Sequence, residues 1–552
     1  MIDVERGGVR RTLANGLNGG ESEGDELSGN SMVAAARTQA GLRRVVWLGL
    51  CACAGSIALL AMQALAAGRL ELTFDEAYYT LWSRSLSFGY LDHPPMVALL
   101  IRASTSLFGG TALGVRALSL VVVGAMPALI ALIAWRLFRS AEKAALAALM
   151  WIAIPLVSIG AVFVSPDAPL VVFWTLGLGA LVELWRTGAK RWLIALGFAL
   201  GLALQSKFTA TFFAAGVVLA LVGTPSLRRW LLSPALYAGL AVALAIFAPF
   251  VVWNAAHGWA TFAKQLGRAP PHGFTPYYLA EFVVAQIGLI NPLVFSALMF
   301  ALAAIPWRAP PGPGSRDEAR RILACTIAPA AIYFLLHSLH DRVQGNWLAP
   351  LYPAVALLVA DWIVEIRRTS STGFAAAIAK FALWGAPIGL VVAALTFTET
   401  ATNAVPLGPA NPLARLEGFR DLARDLDAKA RAENAPYVLT QGYALTSLMT
   451  YYGDPAIPVV QPEQRMRWIF GPEPSESLFA APGLALGEPG RHFDLFMKMR
   501  FRKVEPAGLL ERRQAGGALE PYELYRVSDP YALVLDPVCE RGEVNLERQC
   551  AP

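Results

Sequence analysis

Charged side chains are scarce in this chain: only 16% of its 552 residues are Asp, Glu, Lys or Arg, whereas 56% are hydrophobic. The mean hydropathy of +0.48 lies far above that of ordinary soluble domains, so a wholly soluble protein is excluded. The formal net charge of +6 comes from Lys and Arg residues in short clusters between apolar runs. Membrane topology explains that distribution without nucleic acid. We therefore expect a membrane protein.

Cysteine and histidine are also rare, with 5 and 6 copies respectively. Their spacing forms no recognised metal motif, so the sequence requires no cofactor, although it is compatible with a divalent metal ion. Cys539 and Cys550 would close a short loop if they formed a disulfide in an oxidising compartment. The sequence leaves that pairing open, because it does not give the geometry of the two side chains.

Apolar runs dominate from Val45 to about Leu395, and many approach the roughly 20 residues that cross a bilayer. The pattern predicts an α-helical polytopic membrane protein with about 11 to 13 transmembrane helices. The expected spans lie near residues 45–67, 113–136, 144–163, 167–185, 192–206, 208–223, 231–253, 281–305, 322–339, 347–365 and 374–396. Residues 1–43 are expected to form a disordered cytoplasmic tail, 44–398 the membrane domain and 399–552 a soluble α+β domain.

Basic residues mark every second connection between these spans, from Arg43 and Arg44 to Arg367 and Arg368. Because cytoplasmic segments are rich in Lys and Arg, the N-terminus is predicted to lie in the cytoplasm. The protein is expected to belong to a bacterial inner membrane. The other connections and the soluble domain then face the periplasm. The two short spans around Lys207 could instead form one long tilted helix, but that arrangement would destroy the alternation.

The outward connections hold most of the candidate functional residues. The first, residues 68–112, is long enough for interfacial helices. The candidates are Asp75, Glu76, Asp92 and His93 in the first connection, Asp167 in the second, Lys207 in the third, Arg268 in the fourth, and Arg342 and Asn346 in the fifth; Lys264 is a further basic residue of the fourth connection. The cytoplasmic connections have only the basic clusters that topology explains, so the outward face is the predicted site.

Several of these residues also have a plain structural explanation. Asp75 and Glu76 could be favourable charges at a helix N-terminus, and Asp167 could cap the following span. Lys207 could extend its ammonium to lipid headgroups. His93 alone is more often structural than a ligand.

The combination of short motifs in the outward connections resembles a known family. The motifs are FDEAYY at 74–79, YLDHPPM at 90–96, SPDAP at 165–169, QSKFT at 205–209 and QGNWLAPLYP at 344–353. Together they resemble GT-C glycosyltransferases of the protein mannosyltransferase and aminoarabinose (lipid A) transferase superfamily, particularly bacterial members of glycosyltransferase family 39. The resemblance covers about Thr73 to Pro353, and a looser one at residues 443–452 is to the start of the family's periplasmic domain.

This resemblance implies an inverting hexosyl- or pentosyltransferase that takes its sugar from a polyprenyl phosphate in the bilayer. It implies that Asp75, Glu76 and Asp167 are catalytic acids and that Lys207 holds the donor phosphate. Arg268, Arg342, Asn346, Asp92 and His93 are expected to help bind the donor. The aminoarabinose transferases have Glu-Lys where this chain has Asp92-His93, so one permanent cation is missing here.

The expected chemistry follows from the bond that breaks. Negative charge grows on the leaving phosphate, which a cation such as Lys207 would stabilise. If the acceptor is a hydroxyl, a carboxylate must take its proton, and Asp75 is the predicted base.

The acceptor is expected to be lipid A, lipopolysaccharide or another glycolipid. A protein acceptor, as in protein O-mannosyltransferases, is the alternative within the family. A transporter of lipid-linked sugars is a different class; it would often show paired repeats with broken helices, and no such repeat is visible in the sequence.

Overall fold

The computed structural model describes residues 20–267, 273–307, 312, 314–370, 372–402, 416–514 and 517–538. Helices account for most of the described residues up to Thr402. In chain order they are α1 (Gly20–Arg69), α2 (Phe74–Arg84), α3 (Met96–Phe108), α4 (Ala112–Phe138), α5 (Ala141–Ile152), α6 (Pro155–Ser158), α7 (Asp167–Thr187), α8 (Arg191–Ser206), α9 (Thr211–Gly223), α10 (Pro234–Ala256), α11 (Ala260–Leu266), α12 (Tyr277–Ile290), α13 (Pro292–Ala303), α14 (Arg316–His337), α15 (Tyr352–Thr369), α16 (Phe374–Ala382) and α17 (Gly385–Thr402).

Seven helical segments of the described chain are long and apolar enough to cross a membrane, or nine if each of two bent pairs counts as one span. The predicted spans 192–206 and 208–223 correspond to two shorter apolar helices, α8 and the segment Phe208–Gly223. Each of the predicted spans thus coincides with an apolar helix or helix pair. Helix α1 begins at Gly20, inside the segment for which the sequence predicts disorder, and residues 1–19 of that segment lie outside the described residues.

The predicted span 281–305 is bent more sharply than any other bent pair among the described helices. Helices α12 and α13 meet at Asn291 with a bend of 105°. Pro292 has no N–H to continue the helix, and it disfavours helical backbone at the preceding residue. Asn291 takes φ +84° instead, and its Nδ2 donates hydrogen bonds to the carbonyls of Ala153 and Gly385 at 3.2 and 3.1 Å.

Helices α8 and α9 form a hairpin with Lys207 at the tip. Lys207 has extended backbone and contacts Asp167 at the start of α7, whereas Ser226, just after α9, donates its N–H to Glu318. Glu318 also accepts a hydrogen bond from Trp185 near the end of α7. Helix α8 therefore returns to the start of α7, and α9 runs back towards the end of α7. The hairpin prediction is confirmed, and the single tilted helix is wrong.

The basic clusters lie together at one end of the helix bundle, which we call the basic end. Arg136 pairs with Glu183 at 2.7 Å, and Lys143 pairs with the fully buried Asp361 at 2.6 Å. The other members of this end include Arg44, Arg186, Arg229, Arg316, Arg320 and Arg368. We call the opposite end, where Lys207 meets Asp167, the site end. The segregation predicted from charge alternation is confirmed.

The C-terminal domain contains a small mixed sheet. Its elements are α18 (Phe419–Ala432), β1 (Val438–Thr440), α19 (Gly442–Tyr452), β2 (Val459–Val460), β3 (Gly483–Gly487), α20 (Phe493–Lys498), β4 (Phe501–Gln514) and β5 (Gly517–Pro530). The strand order is β2-β1-β3-β5-β4, with β1 parallel to β2 and β3, and β5 antiparallel to β3 and β4. The predicted fold class, a helical membrane protein with a C-terminal α+β domain, is confirmed.

The C-terminal domain packs on the segment between α1 and α3. Ala77 of α2 belongs to the hydrophobic core that also contains Leu448 and Leu484 of the domain. Leu72 donates its N–H to the hydroxyl of Tyr452 at 2.6 Å, and the hydroxyl of Tyr451 donates to the carbonyl of Gly110 at 2.9 Å. These contacts place the domain over the site end of the bundle.

Candidate functional site

A cavity of about 740 Å³ opens at the site end, between the helix bundle and the C-terminal domain. Seven of the predicted site residues line it: Asp75, Asp92, His93, Asp167, Lys207, Arg342 and Asn346. Arg268, predicted to bind the donor, lies outside the described residues. The outward connections are far apart in sequence, yet their polar residues meet around one space.

Asp75 lies in the first turn of α2, where the side chain of Thr73 caps the helix and fixes its start. One carboxylate oxygen, Oδ1, lies 3.3 Å from the hydroxyl of Tyr443, which donates to it from the C-terminal domain. Burial raises the pKa of Asp75 to about 6, and the negative charge of Asp92 adds to the rise, while Tyr443 and Arg467 oppose it. A carboxyl group with this pKa is suited to general acid–base catalysis near neutral pH.

Glu76 does not reach the cavity. It is fully buried and forms a paired contact with the fully buried Arg116, whose Nε and Nη2 donate to Glu76 at 2.8 and 2.7 Å. It also accepts the N–H groups of Thr73 and Val164. Four protein donors thus bind the carboxylate, and Glu76, predicted from the sequence to be catalytic, lies outside the cavity lining.

Asp92 lies between two cations. Lys264 of α11 contacts its Oδ1, and Nη1 of Arg467 donates to its Oδ2 at 2.7 Å. Burial alone would raise the pKa of Asp92, but the charges of Lys264 and Arg467 outweigh it and hold the pKa well below its usual range. The neighbouring His93 lines the cavity, with its ring 6.2 Å from that of Tyr79. Asp92 is therefore an ionised residue held by cations.

Asp167 and Lys207 form an ion pair at the cavity wall. Nζ of Lys207 lies 2.7 Å from Oδ1 of Asp167, and Nδ2 of Asn346 donates to Oδ2 at 2.7 Å. Only 11% of each charged side chain is exposed, so Lys207 does not extend to headgroups. Pro166 occupies the N-cap of α7, so Asp167 is not a cap either. The two structural alternatives considered for these residues are thus wrong.

Arg342 is at the rim of the cavity rather than in its interior. Its side chain is 62% exposed, and its Nε donates to Glu281 at 2.7 Å. Such an exposed cation can meet a group that enters from outside, but its interactions are screened by water.

Three lining or adjacent residues were not selected from the sequence: Lys264, Tyr443 and Arg467. Lys264 was visible as a basic residue in the fourth outward connection, but nothing in the sequence links it to Asp92. Arg467 and Tyr443 lie 375 and 368 positions after their carboxylate partners. Only the looser resemblance near Tyr443 could have suggested a role for this region.

The described residues contain no group of three or more His, Cys, Asp or Glu side chains that could hold a metal ion. Cys539 and Cys550 lie outside the described part of the chain, as does any disulfide between them.

The chain has similarity to known proteins over most of its length. A family model described as dolichyl-phosphate-mannose-protein mannosyltransferase matches residues 92–253. Lipid A galacturonosyltransferase RgtD from Rhizobium johnstonii is 26% identical over 295 residues, which are 53% of this chain and 60% of that protein. The match thus spans less than two thirds of that relative.

Two solved structures share the fold. ArnT from Cupriavidus metallidurans bound to undecaprenyl phosphate superposes with a TM-score of 0.59 at 16% identity, covering 88% of this chain and 99% of ArnT. The apo state of the same protein gives a TM-score of 0.58 at 17% identity, with 85% and 96% covered. These comparisons confirm the family resemblance that the outward motifs carry.

Proposed function

Since this chain has the GT-C fold of ArnT, we propose that it is a membrane glycosyltransferase that transfers a sugar from a polyprenyl phosphate to lipid A, lipopolysaccharide or another glycolipid. The observation that carries the proposal is one cavity that holds a carboxyl group with a raised pKa, Asp75, together with the ion pair of Lys207 and Asp167. Such a site offers a base and a cation, which are the two groups that this transfer needs.

Lys207 is the proposed contact for the donor phosphate. As the bond between the anomeric carbon and the phosphate oxygen breaks, negative charge grows on the phosphate, and the ammonium of Lys207 stabilises it. Asp167 holds Lys207 in place, and Asn346 holds the other oxygen of Asp167. The cation is therefore positioned before the donor arrives, although the donor must share it with Asp167.

Asp75 is the proposed general base. The acceptor hydroxyl attacks the anomeric carbon, its proton passes to Asp75, and the polyprenyl phosphate leaves with the bonding electrons. Attack on the face opposite the phosphate inverts the anomeric configuration. An acceptor that is already ionised would need no base, and Asp75 would then balance charge.

An apolar cavity supports a lipid-linked donor. It measures about 260 Å³, and its lining includes Met96, Leu99, Ala168 and Phe173. Ala168 directly follows Asp167 in the chain, and Met96 follows the prolines after His93. An isoprenoid chain could thus reach the site from the bilayer, and the undecaprenyl phosphate bound to ArnT is a polyprenyl phosphate, the kind of lipid that the proposed donor releases.

The proposed location of the site is the periplasmic face of a bacterial inner membrane. The support is the separation of the basic end from the site end, because basic residues favour the cytoplasmic side. The C-terminal domain packs at the site end and would share that compartment.

Two observations favour different acceptors. RgtD is a lipid A galacturonosyltransferase, and the similarity to it supports lipid A as the acceptor. The matching family model is that of protein mannosyltransferases, which supports a protein acceptor. We favour the lipid because the similarity to RgtD extends over 295 residues, against the segment 92–253 matched by the family model.

A transfer assay tests the proposal. Isolated membranes that contain the chain would be incubated with radiolabelled undecaprenyl-phosphate sugars, including a galacturonosyl form, and label would be measured in lipid A, other glycolipids and protein. Membranes without the chain provide the background. We expect label in lipid. Label in protein alone would show that the acceptor is a protein. Movement of intact donor across the membrane without transfer would indicate a transporter.

The same assay tests the two central residues. We expect Asp75→Asn and Lys207→Ala to reduce transfer by at least about 100-fold without loss of membrane expression. Asp421→Asn and Lys190→Ala are matched controls, since Lys190 is exposed, the Asp421 side chain is 48% exposed, and neither residue lines the cavity. Full activity in either of the first two variants would remove that residue from the mechanism.

A further inference from the structure

The C-terminal domain contributes two side chains to the cavity, Tyr443 and Arg467. Tyr443 lies in the first turn of α19, and Arg467 ends a short 3-10 turn, Arg465–Arg467. Each touches a carboxylate of the first outward connection: Tyr443 contacts Asp75, and Arg467 contacts Asp92. The domain therefore takes part in the site rather than only covering it.

The domain holds Arg467 firmly. Its Nε donates to Oε1 of Gln464 at 2.8 Å, and its guanidinium lies over the ring of Tyr443, 4.2 Å from the centroid. The carbonyl of Arg467 also accepts a hydrogen bond from the hydroxyl of Tyr78 at 3.1 Å. Only 13% of the charged side chain is exposed. Arg467 thus fixes the ring of Tyr443 on one side and meets Asp92 on the other.

Asp75 lies among several charged or titratable groups from different elements. Those that interact with it are Glu76 and Tyr79 of α2, Asp92, and Tyr443 and Arg467 of the C-terminal domain, and Asp167 lines the same cavity. Glu76 is compensated by Arg116, and Asp167 by Lys207. Asp92 is compensated by Lys264 from the bundle and by Arg467 from the domain. Arg467 is therefore the cation near Asp75 whose position depends on how the domain is docked.

We propose that Arg467 is a positioning residue that makes the site competent only when the C-terminal domain is docked. It holds Tyr443 on Asp75 and neutralises Asp92 beside it. This inference rests on the proposed role of Asp75 as the base. A domain that moves away removes both groups together, so catalysis is coupled to the domain that covers the acceptor side.

The sign of the coupling is fixed by charge. The hydrogen bond from Tyr443 and the positive charge of Arg467 both lower the pKa of Asp75, while Asp92 raises it. Without Arg467, Asp92 is less compensated and Tyr443 is free to turn, so the pKa of Asp75 rises. A base is active when ionised, so the acidic limb of the rate profile moves to higher pH.

The test compares Arg467→Met, which keeps bulk but not charge, with Arg467→Lys, which keeps the charge. Arg424→Met is the matched control, because the Arg424 side chain is 72% exposed on α18. With the purified full-length protein, we expect Arg467→Met to lower kcat by about 10- to 100-fold with little change in KM, and to move the acidic limb to higher pH. In Arg467→Lys the acidic limb of the rate profile should lie close to its wild-type pH.

A second measurement needs no turnover. Carbodiimide reacts with protonated carboxyl groups, so labelling of Asp75, followed by mass spectrometry across pH, gives its titration midpoint directly. We expect the midpoint to rise in Arg467→Met and, more weakly, in Tyr443→Phe, and to stay unchanged in Arg424→Met. If Arg467→Met does not fold, Tyr443→Phe still tests the contact.

The outcomes separate the two proposals. Wild-type protein that transfers no sugar would refute the proposed function, yet the labelling midpoints would still decide whether Arg467 controls Asp75. The inference would be overturned if the wild type is active and Arg467→Met keeps both the acidic limb of the rate profile and the labelling midpoint of Asp75 unchanged. This holds even if the rate of the variant is lower. A lower rate alone would then reflect general loss of structure.

Discussion

The four carboxylates predicted in the first two outward connections differ in what surrounds them. Asp75 has one weak donor and a raised pKa, whereas Asp92 and Asp167 are paired with cations and Glu76 is enclosed by Arg116. Sequence motifs identify acids but not their partners. The partners come from elements up to 375 positions away, and they decide which acid is left to accept a proton.

Asp92→Asn should move the pH dependence of transfer in a defined direction. The negative charge of Asp92 raises the pKa of Asp75, which is about 6. Removing that charge also takes a carboxylate away from Lys264 and Arg467, so the pKa of Asp75 falls. We expect the acidic limb of kcat/KM, with its midpoint near pH 6 in the wild type, to move to lower pH in Asp92→Asn.

Asp92→Glu is the control for this prediction, since it keeps the charge and should keep the limb close to that of the wild type. The measurement is kcat/KM for the donor between about pH 4.5 and 8 in the purified protein. A limb that stays in place in Asp92→Asn, or moves to higher pH, would contradict the electrostatic link between the two acids.

At the scale of elements, hydropathy located the helices, but it could not give their bends. The runs 144–163 and 281–305 read as continuous spans, yet both are broken, by 69° and 105°. Pro155 and Pro292 were visible in the sequence. Prolines also occur within α4, α10 and α14 without breaking them, so the sequence alone does not distinguish a kink from a break. The tertiary hydrogen bonds of Asn291 stabilise the break.

Arg116 joins three helices near the site and should be essential for the fold. From α4 it donates to the carbonyls of Ala67 and Leu70 at the end of α1, as well as to Glu76 of α2. Arg116→Met leaves Glu76 as a buried charge without its cation, at a cost of about 3 to 5 kcal/mol. We expect a lower thermal unfolding midpoint and a lower yield of monodisperse protein in detergent.

The double variant Glu76→Gln with Arg116→Met removes the uncompensated charge and should recover part of that loss, since the buried carboxylate is then gone. Arg102→Met, on the exposed face of α3, should leave the unfolding midpoint close to that of the wild type. Equal midpoints for Arg116→Met and Arg102→Met would show that the buried pair contributes nothing to stability.

For the whole molecule, composition predicted a membrane part followed by a soluble part, and the structure has a bundle of apolar helices followed by a domain with a small sheet. What composition could not give is their mutual arrangement. The long-range contacts of Tyr443, Tyr452 and Arg467 depend on how the domain sits on α2, and this follows from surfaces rather than from local pattern. The site therefore belongs to the assembled chain.

Glu71 links the end of α1 to the start of the C-terminal domain, and its loss should loosen the docked state. Its Oε2 accepts the backbone N–H of Phe419 at 2.8 Å, and both of its oxygens lie within 3.4 Å of the N–H of Arg420. These are N–H groups at the start of α18, where a helix has no internal acceptors and favours negative charge. The carboxylate thus attaches the domain to the bundle at this helix end.

Glu71→Ala removes these charge-assisted hydrogen bonds, which contribute about 1.5 to 3 kcal/mol. Local opening of the first turn of α18 then becomes easier, and we expect amide hydrogen exchange there to rise by roughly 10- to 100-fold. Exchange around Arg467 should rise as well, because the same docking holds Arg467 on Asp92. Glu511→Ala is the control, since Glu511 is 51% exposed on β4 and its recorded ion pair, with Arg513, spans 3.7 Å. Exchange that rises at α18 but not around Arg467 would show that the helix end and the site are held independently.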